Sequence, residues 1–257
     1  MKNPFKYLIL LLFIYASAVW AGQGCDNQPV SPEAFKKGMS LAVKLRAALE
    51  ASGQQTVILA RAGQDLSKQG LRWSHAGMAY RENGAWTVLH KLNDCGTDHA
   101  TLFKQGLANF FMDSPYEYRV LILTLKPEVS ARLLAQVPYA KSVDQPAYSL
   151  LAYPFSMEYQ NSNGWLLEFS ALAISDQATA GRALAQGFLR DTHYKGSTIE
   201  VSAADRIGGS LFKANVHFTD HPLSKRLKGN YEAVTVESIQ SWLQKNGWLA
   251  ASQELRL

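Results

Sequence analysis

The sequence predicts an α+β domain in which a mainly antiparallel sheet is packed by helices. Three observations carry this expectation. Apolar runs at residues 72–80 and 86–92 are joined through Glu82-Asn83-Gly84, and an Asn-Gly pair between two such runs is a strong hairpin signal. Strand-like runs and stretches of helical apolar period are mixed along the chain. Apolar residues make up 47% of it, enough for a full core, with no internal repeat or low-complexity segment.

The chain opens with Lys2 and Lys6, followed by an apolar run from Tyr7 to Ala18 broken only by Ser17. This is the charged and apolar pattern of a secretory signal peptide. About 12 apolar residues fall short of the roughly 20 that a membrane span needs. Val19-Trp20-Ala21 before Gly22 offers a cleavage site, and Ala16-Ser17-Ala18 a second one. The sequence therefore divides into a signal peptide (1–21) and a single α+β domain (22–257). The expected location is the bacterial periplasm, with no permanent membrane span after cleavage. A retained N-terminal anchor is the competing reading. Lipidation at Cys25 is disfavoured because Gly22 stands where a leucine-type residue is needed.

Cleavage removes two lysines and lowers the net charge from +5 to +3. That is too mild for nucleic-acid binding, and the short run Lys225, Arg226 and Lys228 reads as a solvated turn. In an oxidising compartment Cys25 and Cys95 are expected to bond. Closing that loop of about 70 residues contributes roughly 4 kcal/mol in the chain-entropy model. It also leaves neither cysteine free as a nucleophile.

Residues 34–51 have helical periodicity and end at Ser52-Gly53; residues 56–62 read as a buried strand bounded by Gly63. After the hairpin, Thr97 or Asp98 is placed to cap a helix through Phe111. Residues 118–125 form a strand, and Pro127 opens a helix through Gln136. Residues 148–159 are aromatic and irregular. Helices are expected at 163–174 and 177–189, with Ser175-Asp176 supplying a cap between them. Strands near 198–201, 214–218 and 233–236 precede a helix at 237–245 that ends at Asn246-Gly247. Gly208-Gly209 lacks the flanking strand and helix of a phosphate loop. Trp73, Trp86, Trp165, Trp242 and Trp248 are assigned mainly to the core, whereas Tyr148, Tyr153, Phe155 and Tyr159 are candidates to line a groove.

Three positions stand out chemically. His75 and His90 sit in the two hairpin strands, and Ser162 lies where the irregular segment enters a helix. A nucleophile at a helix N-terminus gains from the unpaired N–H groups there. A strand imidazole takes its proton, and a second polar side chain on the neighbouring strand fixes the tautomer. Each residue also has an ordinary role: Ser162 as a helix cap, His75 as a half-buried strand histidine held by a backbone group. Gly77, two residues from His75, lets another segment approach. His217, Asp220 and His221 have metal-ligand chemistry, but Pro222 breaks any helix that would align them, so a turn is expected and no metal. No cofactor is expected either.

The order His75-Ala76-Gly77-Met78, then Val88-Leu89-His90, then Asn161-Ser162 at a helix start resembles the circularly permuted NlpC-type papain-like superfamily, which includes the lecithin retinol acyltransferase group. Over nearly the whole mature length the chain also resembles a bacterial exported family of unknown function. That likeness rests on Leu92-Asn93-x-Cys95-Gly96, Gly106-Leu107-x-Asn109-Phe110-Phe111 and Tyr159-Gln160-Asn161. The superfamily resemblance implies a papain-like fold in permuted order and a hydrolase or acyl/peptidyl transferase acting on an amide or ester. It implies peptidoglycan peptides or lipid-linked acyl groups as substrates, with His75 as base, His90 as its partner and position 162 as nucleophile. Tyr159, Gln160 and Asn161 would then bind, Gln160 or Asn161 helping to form an oxyanion hole. The departure is Ser162 where that superfamily carries cysteine, because a hydroxyl gives up its proton far less readily than a thiol. The alternative is an inactive relative that binds a peptide, a cell-wall fragment or a partner protein in the same groove.

Overall fold

The computed structural model describes residues 29–113, 115–177, 179–202, 206 and 214–257. The expected signal peptide with its two expected cleavage sites, Cys25 and Gly208-Gly209 lie outside the described residues.

The first helix, α1 (Pro32–Ser52), starts where Ser31 Oγ accepts from the Ala34 N–H at 3.1 Å, and it ends on Gly53 at φ 66°. Five strands follow: β1 (Thr56–Ala62), β2 (His75–Glu82), β3 (Ala85–Asn93), β4 (Ala100–Gly106) and β5 (Glu117–Leu125). The β2–β3 turn carries positive φ at Asn83 (51°) and Gly84 (82°), the backbone that an Asn-Gly hairpin requires. Then come α2 (Pro127–Gln136), α3 (Ser162–Ile174), α4 (Arg182–Asp191), β6 (Ser197–Glu200) and α5 (Leu223–Lys228). The chain ends with β7 (Asn230–Ala233), α6 (Val236–Lys245) and β8 (Leu249–Arg256). Six strands form one sheet in the order β4-β3-β2-β1-β5-β8, every neighbouring pair antiparallel. Strands β6 and β7 make a separate ribbon.

Strand alternation sorts the sheet residues into two cores. Val57 and Leu59 of β1 pack with Leu41, Leu45 and Leu49 of α1 on one face. Ile58, Ala60 and Ala62 face α2, α3, α4 and α6 on the other. Full burial of each α1 leucine contributes about 1.5–3 kcal/mol. All 13 residues of α3 are buried, in keeping with a sequence that is apolar nearly all round. This helix is therefore fixed on every side, and its first turn is held rigidly against the sheet.

Several expected elements differ. The segment expected to be a helix from 97 or 98 to 111 is strand β4 followed by a short 3-10 turn (Asn109–Phe111). The ladder from His90↔Phe103 to Asn93↔Ala100 wins there, because β4 as an edge strand is mostly exposed and lacks a clear apolar face. Helix α4 starts five residues later than expected, and Ser175 caps the end of α3 rather than the start of α4. Residues 214–218 form a turn and irregular chain instead of a strand. The basic run at 225–228 lies in α5 rather than a turn. Strand β8 was not foreseen: most of its residues are exposed and its apolar pattern is weak.

Candidate functional site

The strand ends of the hairpin bring two expected site residues together. His75 Nε2 lies 2.8 Å from His90 Nδ1, and His90 Nε2 lies 3.1 Å from Gln105 Oε1 on β4. Gly77 makes this approach possible, since a Cβ there would stand 2.8 Å from His90 Cβ and 3.0 Å from the Leu89 carbonyl. Arg61 is paired in register with His75, so both side chains share a face. The Phe110 ring closes that face, 5.8 Å from the His75 ring, 5.4 Å from the His90 ring and 5.0 Å from the Arg61 guanidinium. Asp113 neutralises Arg61 through an ion pair, with one bond at 2.6 Å.

Burial, then Arg61, then His90 hold the His75 imidazole well below its usual range. Burial and Arg61 lower His90 to about 4, against the Gln105 hydrogen bond. Both rings are neutral near pH 7. With Gln105 Oε1 as the acceptor, His90 Nε2 holds a proton and its Nδ1 accepts from His75 Nε2. His75 Nδ1 is left with a lone pair, the arrangement that a general base needs.

This neutral pair has a consequence for stability. Below about pH 6.5 the unfolded imidazoles take up protons that the folded pair refuses, so the contribution is complete above that pH and is lost as pH falls towards the folded values. His90 alone accounts for about 3 kcal/mol of the loss between pH 6.5 and 4. Urea midpoints across that range are expected to fall more steeply for wild type than for His90→Asn. Equal slopes would contradict the neutral pair.

The start of α3 reaches the same strand end. Regular pairing of β2 with β3 stops at Met78↔Leu89, and the Ala76 N–H beyond it donates to Asn163 Oδ1 at 3.0 Å. Asn161, not Ser162, is the helix cap: its Oδ1 accepts from the Gly164 N–H at 2.6 Å. Ser162 is the first helical residue and is buried. Beside it lies the Tyr148 phenol, which burial pushes up to about 12 against an opposing interaction with Ser162. Among the described residues Ser162 forms no hydrogen bond with His75 or His90.

The two residues before Ser162 serve the fold. Gln160 Oε1 accepts from Lys91 Nζ (2.9 Å) and the Gln145 N–H (3.2 Å). Its Nε2 donates to the Val143 carbonyl (2.9 Å) and Glu168 (2.8 Å). Asn161 Nδ2 donates to the Leu150 and Val234 carbonyls, each at 3.1 Å. Neither side chain therefore keeps a donor for an oxyanion. The first-turn N–H groups of Ser162 and Asn163 are the donors that the cap leaves available. Tyr159 is half-buried and stacks on His217 with ring centroids 4.4 Å apart.

A second polar cluster backs this segment. Lys91 is fully buried and pairs with Asp144 at 2.9 Å; burial pulls its ammonium pKa down against that partner. Glu168 pairs with Arg182 at 2.7 Å, both buried, and burial raises the carboxyl against Arg182, Gln186 and Gln160. His217 and His221 diverge. His221 bonds to Asp220 (3.0 Å) and the Glu232 carbonyl (2.9 Å), while Asp220 accepts from the Tyr153 N–H (2.9 Å). Trp73, Trp86, Trp165 and Trp242 are buried as expected, with Trp248 partly so. Among the expected groove residues Tyr148 is buried, whereas Tyr153, Phe155 and Tyr159 keep partial exposure.

The residues missed from sequence are Arg61, Gln105, Asp113 and the Lys91–Glu168–Arg182 set. Three of them carried a usable signal, being charges inside apolar runs: Arg61 in β1, Lys91 in β3 and Glu168 in α3. A buried charge requires a partner.

The fold and site define an α+β protein with a buried, hydrogen-bonded histidine pair beside the start of a core helix. The chain belongs to DUF2145, a family described as an uncharacterized protein conserved in bacteria, whose model matches residues 48–243. No curated protein and no solved structure matches it.

Proposed function

We propose that the protein is an exported, periplasmic hydrolase or acyl/peptidyl transferase acting on an amide or ester, with a papain-like architecture in permuted order. The observation that carries this reading is the neutral His75–His90–Gln105 chain ending in a free His75 Nδ1 lone pair, beside the docked start of α3. In the proposed step His75 takes the Ser162 proton as the oxygen attacks the carbonyl, then gives it to the amine or alcohol that leaves as the C–N or C–O bond breaks; water, or an acceptor amine or alcohol, takes the acyl group from Ser162. The backbone N–H groups of Ser162 and Asn163 steady the oxyanion, and the helix N-terminus adds its partial positive charge. Cell-wall peptides or lipid-linked acyl groups are the proposed substrates. The native protein is expected to react with a fluorophosphonate at Ser162, and Ser162→Ala or His75→Ala to abolish the adduct. Absence of any adduct would refute a working serine nucleophile.

A specific observation favours the second reading, a relative that binds without cleaving: among the described residues the Ser162 hydroxyl bonds to neither imidazole and lies beside the Tyr148 phenol. Under it, the same groove takes a peptide, a cell-wall fragment or a partner protein. Tyr148→Phe separates the two. It removes the phenol hydroxyl beside Ser162 and changes fluorophosphonate labelling if Ser162 is a nucleophile, whereas no labelling appears in either protein if it is not.

Export and the disulfide belong to the same proposal. Cys95 lies in the turn after β3, and a bond to Cys25 would tie the mature N-terminus to the loop beside the site. Intact mass is expected to show a chain starting at or near Gly22 that gains two hydrogens on reduction. A retained Met1 would refute cleavage, and two alkylatable thiols without reductant would refute the bond.

A further inference from the structure

The outer face of α1 breaks the usual pattern for a surface helix. Its inner face is buried through Leu41, Leu45 and Leu49. Yet Phe35 (54% exposed), Met39 (38%) and Val43 (55%) stand outward at four-residue spacing, so they line up as neighbours along one side. Val30, also exposed, precedes the helix. Single exposed apolar residues need no explanation, but an aligned row marks a contact surface.

The charge around the row is one-sided. Lys36, Lys44 and Arg46 are exposed on the same helix and meet no carboxylate among the described residues. Lys44 donates instead to the Arg256 carbonyl at 2.8 Å. The two acids of α1 are already neutralised: Glu33 by Lys37 at 2.7 Å, and Glu50 by Arg81 at 2.6 and 2.7 Å. Arg46 sits three residues beyond Val43, at the mouth of a half-open depression of about 470 Å³ lined also by Glu50, Gly84, Ala85, Trp86 and Leu107. The row therefore ends in a cation above a partly apolar hollow.

We propose that this face docks α1 flat on the surface of an anionic lipid bilayer. Phe35, Met39 and Val43 enter the headgroup–acyl boundary, while Lys36, Lys44 and Arg46 meet the lipid phosphates. An apolar stripe edged by uncompensated cations is the chemistry that such a surface recognises. The inference goes beyond the proposed reaction and does not depend on it.

The test uses the protein as exported by its host, with sedimentation on phosphatidylglycerol/phosphatidylcholine vesicles against phosphatidylcholine alone. Wild type is expected to bind the anionic vesicles at least about tenfold more tightly than the neutral ones, and to lose most of that in high salt. Phe35→Ser/Met39→Ser/Val43→Ser and, separately, Lys36→Gln/Arg46→Gln are each expected to weaken binding about tenfold with circular dichroism unchanged. The variants share one N-terminus, so any contribution from the leader cancels. The charge pair keeps the test decisive should the triple variant fail to fold. Equal binding by wild type and variants, or no binding by wild type, would overturn the proposal. So would self-association that the triple variant abolishes, which would make the face a contact between copies of the chain.

Discussion

Ser162→Cys is expected to give a thiol that iodoacetamide alkylates about tenfold faster at pH 7 than an ordinary cysteine, with His75→Ala in the same background removing most of the gain. An ordinary thiol, with a pKa near 8.5, is only a few per cent ionised at that pH, whereas a helix start and a neighbouring imidazole bring a thiol to about 7 or below. Three features of the site act in that direction. Residue 162 is the first of α3, Tyr148 is a neutral phenol able to donate to a thiolate, and His75 Nδ1 is free to accept the proton. Burial of residue 162 acts the other way and sets how large the gain can be. With Cys25 and Cys95 bonded as proposed, wild type without reductant serves as the unreactive control. A thiol of ordinary reactivity, indifferent to His75, would remove the imidazole from the chemistry of position 162. Together with an absent fluorophosphonate adduct, it would leave the binding reading standing alone.

The parts of this fold that were readable share one property: local signals and burial agree. Helix α2 runs over its expected residues because Pro127 presets the first turn and its inward positions are apolar. The β2–β3 hairpin was legible because Asn83 and Gly84 adopt the only backbone that their sequence favours. Strands β4 and β8 lie at the two edges of the sheet, where exposure erases the apolar pattern and pairing with an inner neighbour decides the structure. The site divides the same way. The His75–His90 contact followed from hairpin geometry and a glycine. The placement of Tyr148 beside Ser162 depends instead on an irregular segment whose path is set by distant partners, Lys91 and Arg182 among them.

Those partners carry the largest expected loss of stability. Arg182 joins Glu168 through Nε (2.7 Å) and a second nitrogen (3.0 Å), and also donates to the carbonyls of Ser156 (2.7 Å), Met157 (3.1 Å) and Tyr159 (3.3 Å). It thus ties α3 and α4 to the segment that delivers Gln160, Asn161 and Ser162. Arg182→Ala is expected to cost about 3–5 kcal/mol, because it leaves the buried Glu168 carboxylate, still bonded to Gln160 and Gln186, without its counter-charge and takes a donor from the Ser156, Met157 and Tyr159 carbonyls. Glu168→Leu/Arg182→Met, which removes both charges and keeps apolar volume, should cost less than Arg182→Ala alone. The pH dependence follows from Glu168, whose carboxyl burial already raises. A raised folded pKa means that the native state holds its proton longer than the unfolded chain, so this group destabilises as pH climbs above about 4.5. Losing Arg182 removes the cation that opposes the rise. The Arg182→Ala protein should therefore recover part of its loss between pH 7 and pH 5, in a direction opposite to the histidine pair, and the double variant should not. Urea unfolding of the three proteins at both pH values measures this. A cost below about 1 kcal/mol with no such recovery would show that water replaces the guanidinium and that the α3 start is positioned without it.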